Sequence, residues 1–145
     1  MIEIKKITAF ETIMVRHPVL RLGRPIETCH FEGDDLSTTW HYGFFLENQL
    51  VAVISAFKAK NKLFNEENQY QIRGMAVLDQ FQKRGFGEAL LNYCENEIRI
   101  ANGNLIWFNA RETAVGFYKR SGYEILGDLF QIPDVGLHYI LFKKI

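Results

Sequence analysis

The chain has 145 residues, and its 17 Lys and Arg are balanced by 17 Asp and Glu. That length suits one domain with a real core, while a net charge of zero argues against a nucleic-acid or anionic-membrane partner. No apolar run approaches a membrane span, and two cysteines are too few for a disulfide framework or a metal cluster.

The segment Met1-Ile2-Glu3-Ile4-Lys5-Lys6-Ile7 alternates like a strand and lacks the apolar core of a signal peptide. A cytoplasmic protein with reduced thiols is therefore expected. Thr8, with Glu11 three residues later, predicts a capping box. The helix it opens carries Ile13, Met14 and Val15 as its apolar face, and Pro18 ends or kinks it. Residues 21–39 show no sustained period and are punctuated by Gly23, Pro25, Gly33 and Asp34-Asp35. Arg16, Arg21 and Arg24 precede the acidic half, Glu27, Glu32, Asp34 and Asp35. Such a stretch suits either a cover over a substrate site or a solvated connector with local ion pairs. Cys29 lies within it as a candidate free thiol. Residues 40–46 and 50–57 read as strands joined by Glu47-Asn48-Gln49, a hairpin signal. A polar connection over 59–68 leads to a further strand over 70–78, giving a meander of three or four strands.

After that strand comes Gln82-Lys83-Arg84-Gly85-Phe86-Gly87, and then a helix beginning near Arg84. Phe86, Leu90, Cys94, Ile98 and Ala101 recur at helical spacing, with Asn102-Gly103 as the stop. Two glycines in a first helical turn lower helix propensity, yet they let a ligand approach the backbone. The unpaired N–H groups there suit a phosphate, and Lys83 and Arg84 add charge. A tight turn with solvated basic side chains is the simpler alternative. A dinucleotide fingerprint would need a third glycine and a distant acidic residue, and a Walker loop would need Gly-Lys-Ser/Thr; neither is present. Residues 105–108 form a continuous apolar strand suited to burial on both faces. Strand, helix and strand in that order predict a parallel pair with a right-handed crossover. Asn109-Ala110-Arg111-Glu112 leads into a second helix over 113–120, closed by Ser121-Gly122. A strand over 123–126, a loop over 127–136 containing Pro133 and a last strand over 137–142 complete the chain. The expected class is α/β (α+β): one domain over 1–145, with a mixed central sheet of about six to seven strands flanked by helices.

Gln-x-x-Gly-x-Gly between an apolar strand and an amphipathic helix resembles the pyrophosphate loop of the GNAT superfamily of N-acetyltransferases. The later run of Asn109, Ala114, Phe117, Tyr118, Gly122 and Tyr123 resembles that family's second element. The resemblance is strongest over 70–123; the first forty residues add little. It implies an acyl-CoA N-acyltransferase fold and transfer of acetyl from acetyl-CoA to an amine in a ternary complex, with no metal. By the same resemblance, the backbone of Met75, Ala76 and Val77 pairs with the pantetheine arm, beside a bulge that turns one amide toward the acyl carbonyl. Gln82, Lys83, Arg84, Gly85, Phe86 and Gly87 hold the pyrophosphate. Asn109 touches the pantetheine or orients the second helix. Tyr118 lies near the sulfur, where its hydroxyl can donate to the departing thiolate. A coenzyme-A-binding sensor without turnover and an enzyme using a longer acyl-CoA remain as alternatives.

The acceptor is expected to be a small-molecule or peptide amine, with dimerisation through the final strands drawn from analogy alone. His30, Glu32 and His41 are candidates for the base, each with a structural alternative. His138 borders an acceptor pocket or is a hydrogen-bonded core histidine. Arg73 stands where some members of the family carry a carboxylate, which leaves a base on that strand in doubt.

Overall fold

The computed structural model describes residues 1–133 and 135–145; Asp134, in the loop expected over 127–136, lies outside the described residues. Seven strands form one mixed sheet. They are β1 (Ile2–Lys6), β2 (Trp40–Leu46), β3 (Gln49–Lys58), β4 (Gln69–Val77), β5 (Leu105–Arg111), β6 (Glu124–Ile132) and β7 (Gly136–Lys144), in the spatial order β1-β2-β3-β4-β5-β7-β6. Among the described residues only β4 and β5 run parallel. The helices are α1 (Ala9–Leu20), α2 (Phe86–Ile100) and α3 (Val115–Arg120). The first four strands form the expected meander, and α2 supplies the crossover between the parallel pair.

Two layers of helix cover the sheet. Leu90, Leu91, Cys94 and Ile98 of α2 pack on one face with Tyr42, Phe44, Ile54, Ile72, Ile106 and Phe108. On the other face Val15 of α1 meets Val53 and Ala76. The Thr8–Glu11 capping box is formed in both directions, a device contributing about 1 kcal/mol. The buried face of α1 is Thr12, Val15 and Arg16 rather than the expected Ile13, Met14 and Val15, and Met14 is exposed. Arg16 captures that face because its charge is neutralised inside the protein. Pro18 does not end the helix, which runs on to Leu20.

Other boundaries shift for local reasons. The hairpin turn is two residues, Glu47 and Asn48, both with positive φ, so Gln49 already belongs to β3. Helix α2 starts at Phe86, not near Arg84; Gly85 is its cap, in the left-handed conformation, and only Gly87 lies within the first turn. Strand β5 continues through Asn109 to Arg111, and the second helix begins later than expected, after a 3-10 turn over Glu112–Ala114. Strand β6 reaches Ile132 through a register shift between Leu126 and Phe130, where a loop had been expected from Gly127 onward.

Candidate active site

The site begins where two parallel strands part. β4 and β5 are paired only from Gln69↔Leu105 to Gln71↔Trp107. Beyond that point a cleft of about 630 Å³ opens, lined on one side by residues 71–75 and on the other by 108–111. Just where the strands separate, β4 bulges: Val53 faces Ala76 but Ser55 faces Arg73, so two residues of β3 span three of β4. Gly74 sits in the bulge with φ +65°. A bulge removes one residue from the ladder and re-aims its backbone, and here the strand is free on its cleft side to use it.

Gly74 also allows a close approach. A Cβ there would lie 2.9 Å from Phe31 Cε2 and 3.0 Å from Arg16 Nε, in a backbone conformation that L side chains avoid. Gly74→Ala should therefore cost about 2 kcal/mol or more, lowering Tm by about 6 °C. It should also reduce activity at temperatures where the variant is still folded, because the bulge lines the cleft. A thermal melt beside an activity assay at 20 °C checks both.

At one end of the cleft lies Gln82, whose amide donates to the Val77 carbonyl at 3.0 Å and to Asp79 at 3.2 Å. The loop then turns through Lys83 (φ 64°) and Gly85 (φ 82°). Positive φ on either side of Arg84 makes a turn of the kind in which anion-binding nests form. No side chain caps α2, and a Cβ on Gly85 would meet nothing within 4 Å. Lys83 and Arg84 are exposed beside this opening, with Arg84 lying over the Phe81 ring. Phe86 turns inward and stacks on Phe44 at 4.5 Å, so its side chain anchors the helix start and leaves its amide to the loop. A Cβ on Gly87 would lie 3.4 Å from Val77 and 3.8 Å from Met75 and Phe117, so a small side chain would fit there beside the strand.

Tyr118 lines the cleft from α3. Its ring is buried among Phe108, Phe117 and Tyr123. Burial pushes its pKa up to about 12, so it keeps its proton at any physiological pH. Neighbouring Tyr123 donates a hydrogen bond from its hydroxyl to Glu95 at 2.8 Å, whereas the Tyr118 hydroxyl has no such bond among the described residues and remains available to the cleft. Met75 and Asn109 line the same cleft, while Ala76 is buried and Val77 half-buried on the strand below.

The other side of the site lies on the α1 face of the sheet. Register puts His41, Ser55 and Arg73 in one row across β2, β3 and β4. It likewise pairs Arg111 with His138, and His138 with Phe130. Arg16 is wholly buried: it makes a bidentate pair with Asp34 at 2.6 and 3.1 Å and donates to Ser55 Oγ and the Cys29 carbonyl, each at 2.9 Å. Asp34 also accepts from Phe31 N–H at 2.9 Å. The irregular residues 21–39 are thereby pinned onto the sheet, and Phe31 enters the cleft lining.

The proposed bases sort themselves by this geometry. His41 spends both ring nitrogens on Ser55 Oγ and the Asp34 carbonyl. His30 pairs with Asp35 at the surface, and Glu32 is exposed; neither lines the cleft. His138 does line it. Its Nδ1 sits 2.7 Å from the Gly136 carbonyl, which can only accept, so Nδ1 carries the proton and Nε2 of the neutral ring carries the lone pair. Cys29 and Cys94 are wholly buried and outside the lining. The described residues contain no group of three or more His, Cys, Asp or Glu able to hold a metal, and no helix among them is long and apolar enough to cross a membrane.

Sequence reasoning missed Gly74, Phe31, Arg21 and Arg111 as parts of this site. Arg73-Gly74 inside an otherwise regular strand was the one available signal, since glycine in a strand often marks a bulge. Phe31 and Arg21 come from the irregular segment, whose placement depends on a buried ion pair.

An uncapped helix start thus lies at the mouth of a split parallel pair, with a bulge and a buried tyrosine among the cleft residues. The family model of the acetyltransferase (GNAT) domain matches residues 39–125. Over all 145 residues the chain is 30% identical to the uncharacterized N-acetyltransferase YitI of Bacillus subtilis (strain 168), covering 97% of that protein. Among solved structures, an aminoglycoside 6'-N-acetyltransferase complexed with coenzyme A superposes with TM-score 0.78 at 14% identity, over 98% of this chain and 96% of that one. The ribosomal-protein-S18-alanine N-acetyltransferase from Escherichia coli gives TM-score 0.77 at 14% identity, over 99% and 94%. The chain belongs to the GNAT family of acetyltransferases.

Proposed function

We propose that the protein transfers an acetyl group from acetyl-CoA to a primary amine by direct attack in a ternary complex, in a cytoplasmic setting. The observation that carries this reading is the cleft between β4 and β5, which has Gln82 of the glycine loop among its walls and Tyr118 among its lining residues. The pyrophosphate is assigned to the amides of 83–87 with Lys83 and Arg84. The pantetheine is assigned to the free edge of β4 at Met75, Ala76 and Val77, as an added strand, with Asn109 across from it. The coenzyme-A complex of the structurally similar aminoglycoside acetyltransferase supports a cofactor-sized ligand in such a fold.

The protons balance as follows. The acceptor arrives as an ammonium and must lose a proton before it can attack; Nε2 of His138 takes it, directly or through water. Nearby guanidinium groups lower the ammonium's pKa and so ease that loss. Attack forms the C–N bond and places negative charge on the carbonyl oxygen, near the bulged backbone of β4. The C–S bond then breaks. The nitrogen gives up its second proton, and the sulfur leaves as a thiol. Tyr118 donates a hydrogen bond to the departing sulfur; with a pKa near 12 it holds its own proton rather than surrendering it to a thiolate of pKa about 8.5. One proton is released overall.

Two measurements test the reading. Calorimetry should show acetyl-CoA binding, and thiol release should appear only when an amine is added. Binding without amine-dependent thiol release would replace the transferase reading with a sensor. A better rate with longer acyl-CoA would move the donor and leave the reaction class unchanged.

A further inference from the structure

The cleft carries an excess of one charge that acetyl transfer by itself does not need. Arg21, Arg73 and Arg111 all line it, and the described lining contains no carboxylate. They converge from three elements: the end of α1, the middle of β4 and the end of β5. Phe31 organises two of them. Its ring has the Arg73 guanidinium at 4.6 Å, Arg21 at 5.7 Å and the neutralised Arg16 at 4.0 Å, while Arg73 also lies 5.5 Å from the Phe57 ring. Aromatic faces hold a guanidinium in place while leaving its N–H fork free. Arg111 stands opposite His138 on the neighbouring strand.

We propose that the acceptor is an amine that also carries an oxyanion, a carboxylate or a phosphate, which Arg21, Arg73 and Arg111 bind while its amino group faces His138. This rests on the acyl-transfer reading above and names the substrate class for the same site. Planar guanidinium forks match carboxylate and phosphate oxygens. The cluster lies on the α1 face, whereas the glycine loop opens at the start of α2 on the opposite face, so the cofactor's phosphates have their own cradle. The like charges strain one another. Arg73 is held below its ordinary pKa first by burial and then by Arg16 and Arg21, with Asp34 and Glu32 acting the other way, and Arg21 first by burial and then by Arg24 and Arg111, with Cys29 opposing. A bound oxyanion would relieve that repulsion, and a polycationic acceptor would add to it. An aminoglycoside-like acceptor is disfavoured on this ground, in spite of the shared fold.

The test is a series of primary amines of matched length ending in a carboxylate, a phosphate ester, a neutral amide or a second ammonium, read as kcat/KM by thiol release. The oxyanionic members should exceed the amide by about 10- to 100-fold, the range of a charge-assisted contact, and the diammonium should be slowest. The carboxylate and phosphate arms decide which oxyanion fits better. Arg111→Gln, at an exposed position, and Arg21→Gln should each narrow the anionic-to-neutral ratio about tenfold, mainly through KM, with acetyl-CoA affinity unchanged by calorimetry. A loss of acetyl-CoA affinity equal to the loss of turnover would assign these arginines to the cofactor's phosphates and overturn the proposal. Neutral or cationic amines that react as fast as the anionic ones would overturn it too, with the transferase reading intact. Thiol release with none of the amines, despite acetyl-CoA binding, would sink the transferase reading and this inference with it.

Discussion

Tyr118→Phe should lower kcat by about 100-fold while leaving acetyl-CoA affinity within about twofold, since loss of a proton- or hydrogen-bond donor in the transition state costs about 10²–10⁴. The ring itself is a packing element between Phe108, Phe117 and Tyr123. Phenylalanine preserves those contacts and removes only the oxygen that reaches the cleft, so the fold should survive and the ground-state complex should form. The loss therefore belongs to the step in which sulfur departs. Acyl donors with better leaving thiols should recover part of the rate in the variant and gain little in the parent. His138→Gln provides the complementary reading. It should lower kcat/KM for the acceptor by about 100-fold with acetyl-CoA affinity unchanged, and better leaving thiols should not recover that loss. Equal losses of kcat and of acetyl-CoA affinity in Tyr118→Phe would make the residue a packing group only.

The two halves of the site differ in how far local sequence can specify them. The half proposed for the cofactor is written in backbone terms. Gly85 must take a positive φ, α2 must start without a capping side chain, and its apolar face must repeat through Leu90, Cys94 and Ile98. Such requirements fall on adjacent residues, so the loop and the order of elements around it could be read from the chain. Boundaries failed where a neighbouring strand decided them. Asn109-Ala110-Arg111 pairs with Ile140, Tyr139 and His138 and so remains strand, although its composition reads as a helix entry. The half proposed for the acceptor is assembled from pairs far apart in sequence. Arg16 stands in the sequence as one of three arginines ahead of an acidic half, yet it becomes fully buried because Asp34, eighteen positions on, folds back onto it. No periodicity announces that contact, and Phe31, Arg21 and Arg73 gain their places through it.

Breaking that ion pair should be the most damaging single change outside the chemistry. Asp34→Ala leaves a guanidinium enclosed without its counter-charge and strips the Phe31 N–H of its acceptor; removing one partner of a buried pair costs about 3–5 kcal/mol, against about 5–15 kcal/mol for a whole domain. Arg16→Met combined with Asp34→Leu should recover much of that loss, because neither charge is then stranded. Urea unfolding of the single and double variants checks the ordering. Acidification should imitate the single variant. Burial alone would raise the Asp34 pKa, but the bonds from Arg16 and from Phe31 N–H more than offset it and hold the pKa below the ordinary 3.8. The folded value is thus depressed, so the pair's contribution is complete above about pH 4 and fades as pH falls through the folded value. Asp34→Asn should remove that part of the acid dependence and keep an oxygen for Phe31 N–H. If the segment is held as described, Asp34→Asn should also raise KM for the acceptor more than for acetyl-CoA, because Phe31 supports Arg21 and Arg73 and not the glycine loop. Equal effects on the two substrates would detach the buried pair from acceptor recognition and leave it a purely structural brace.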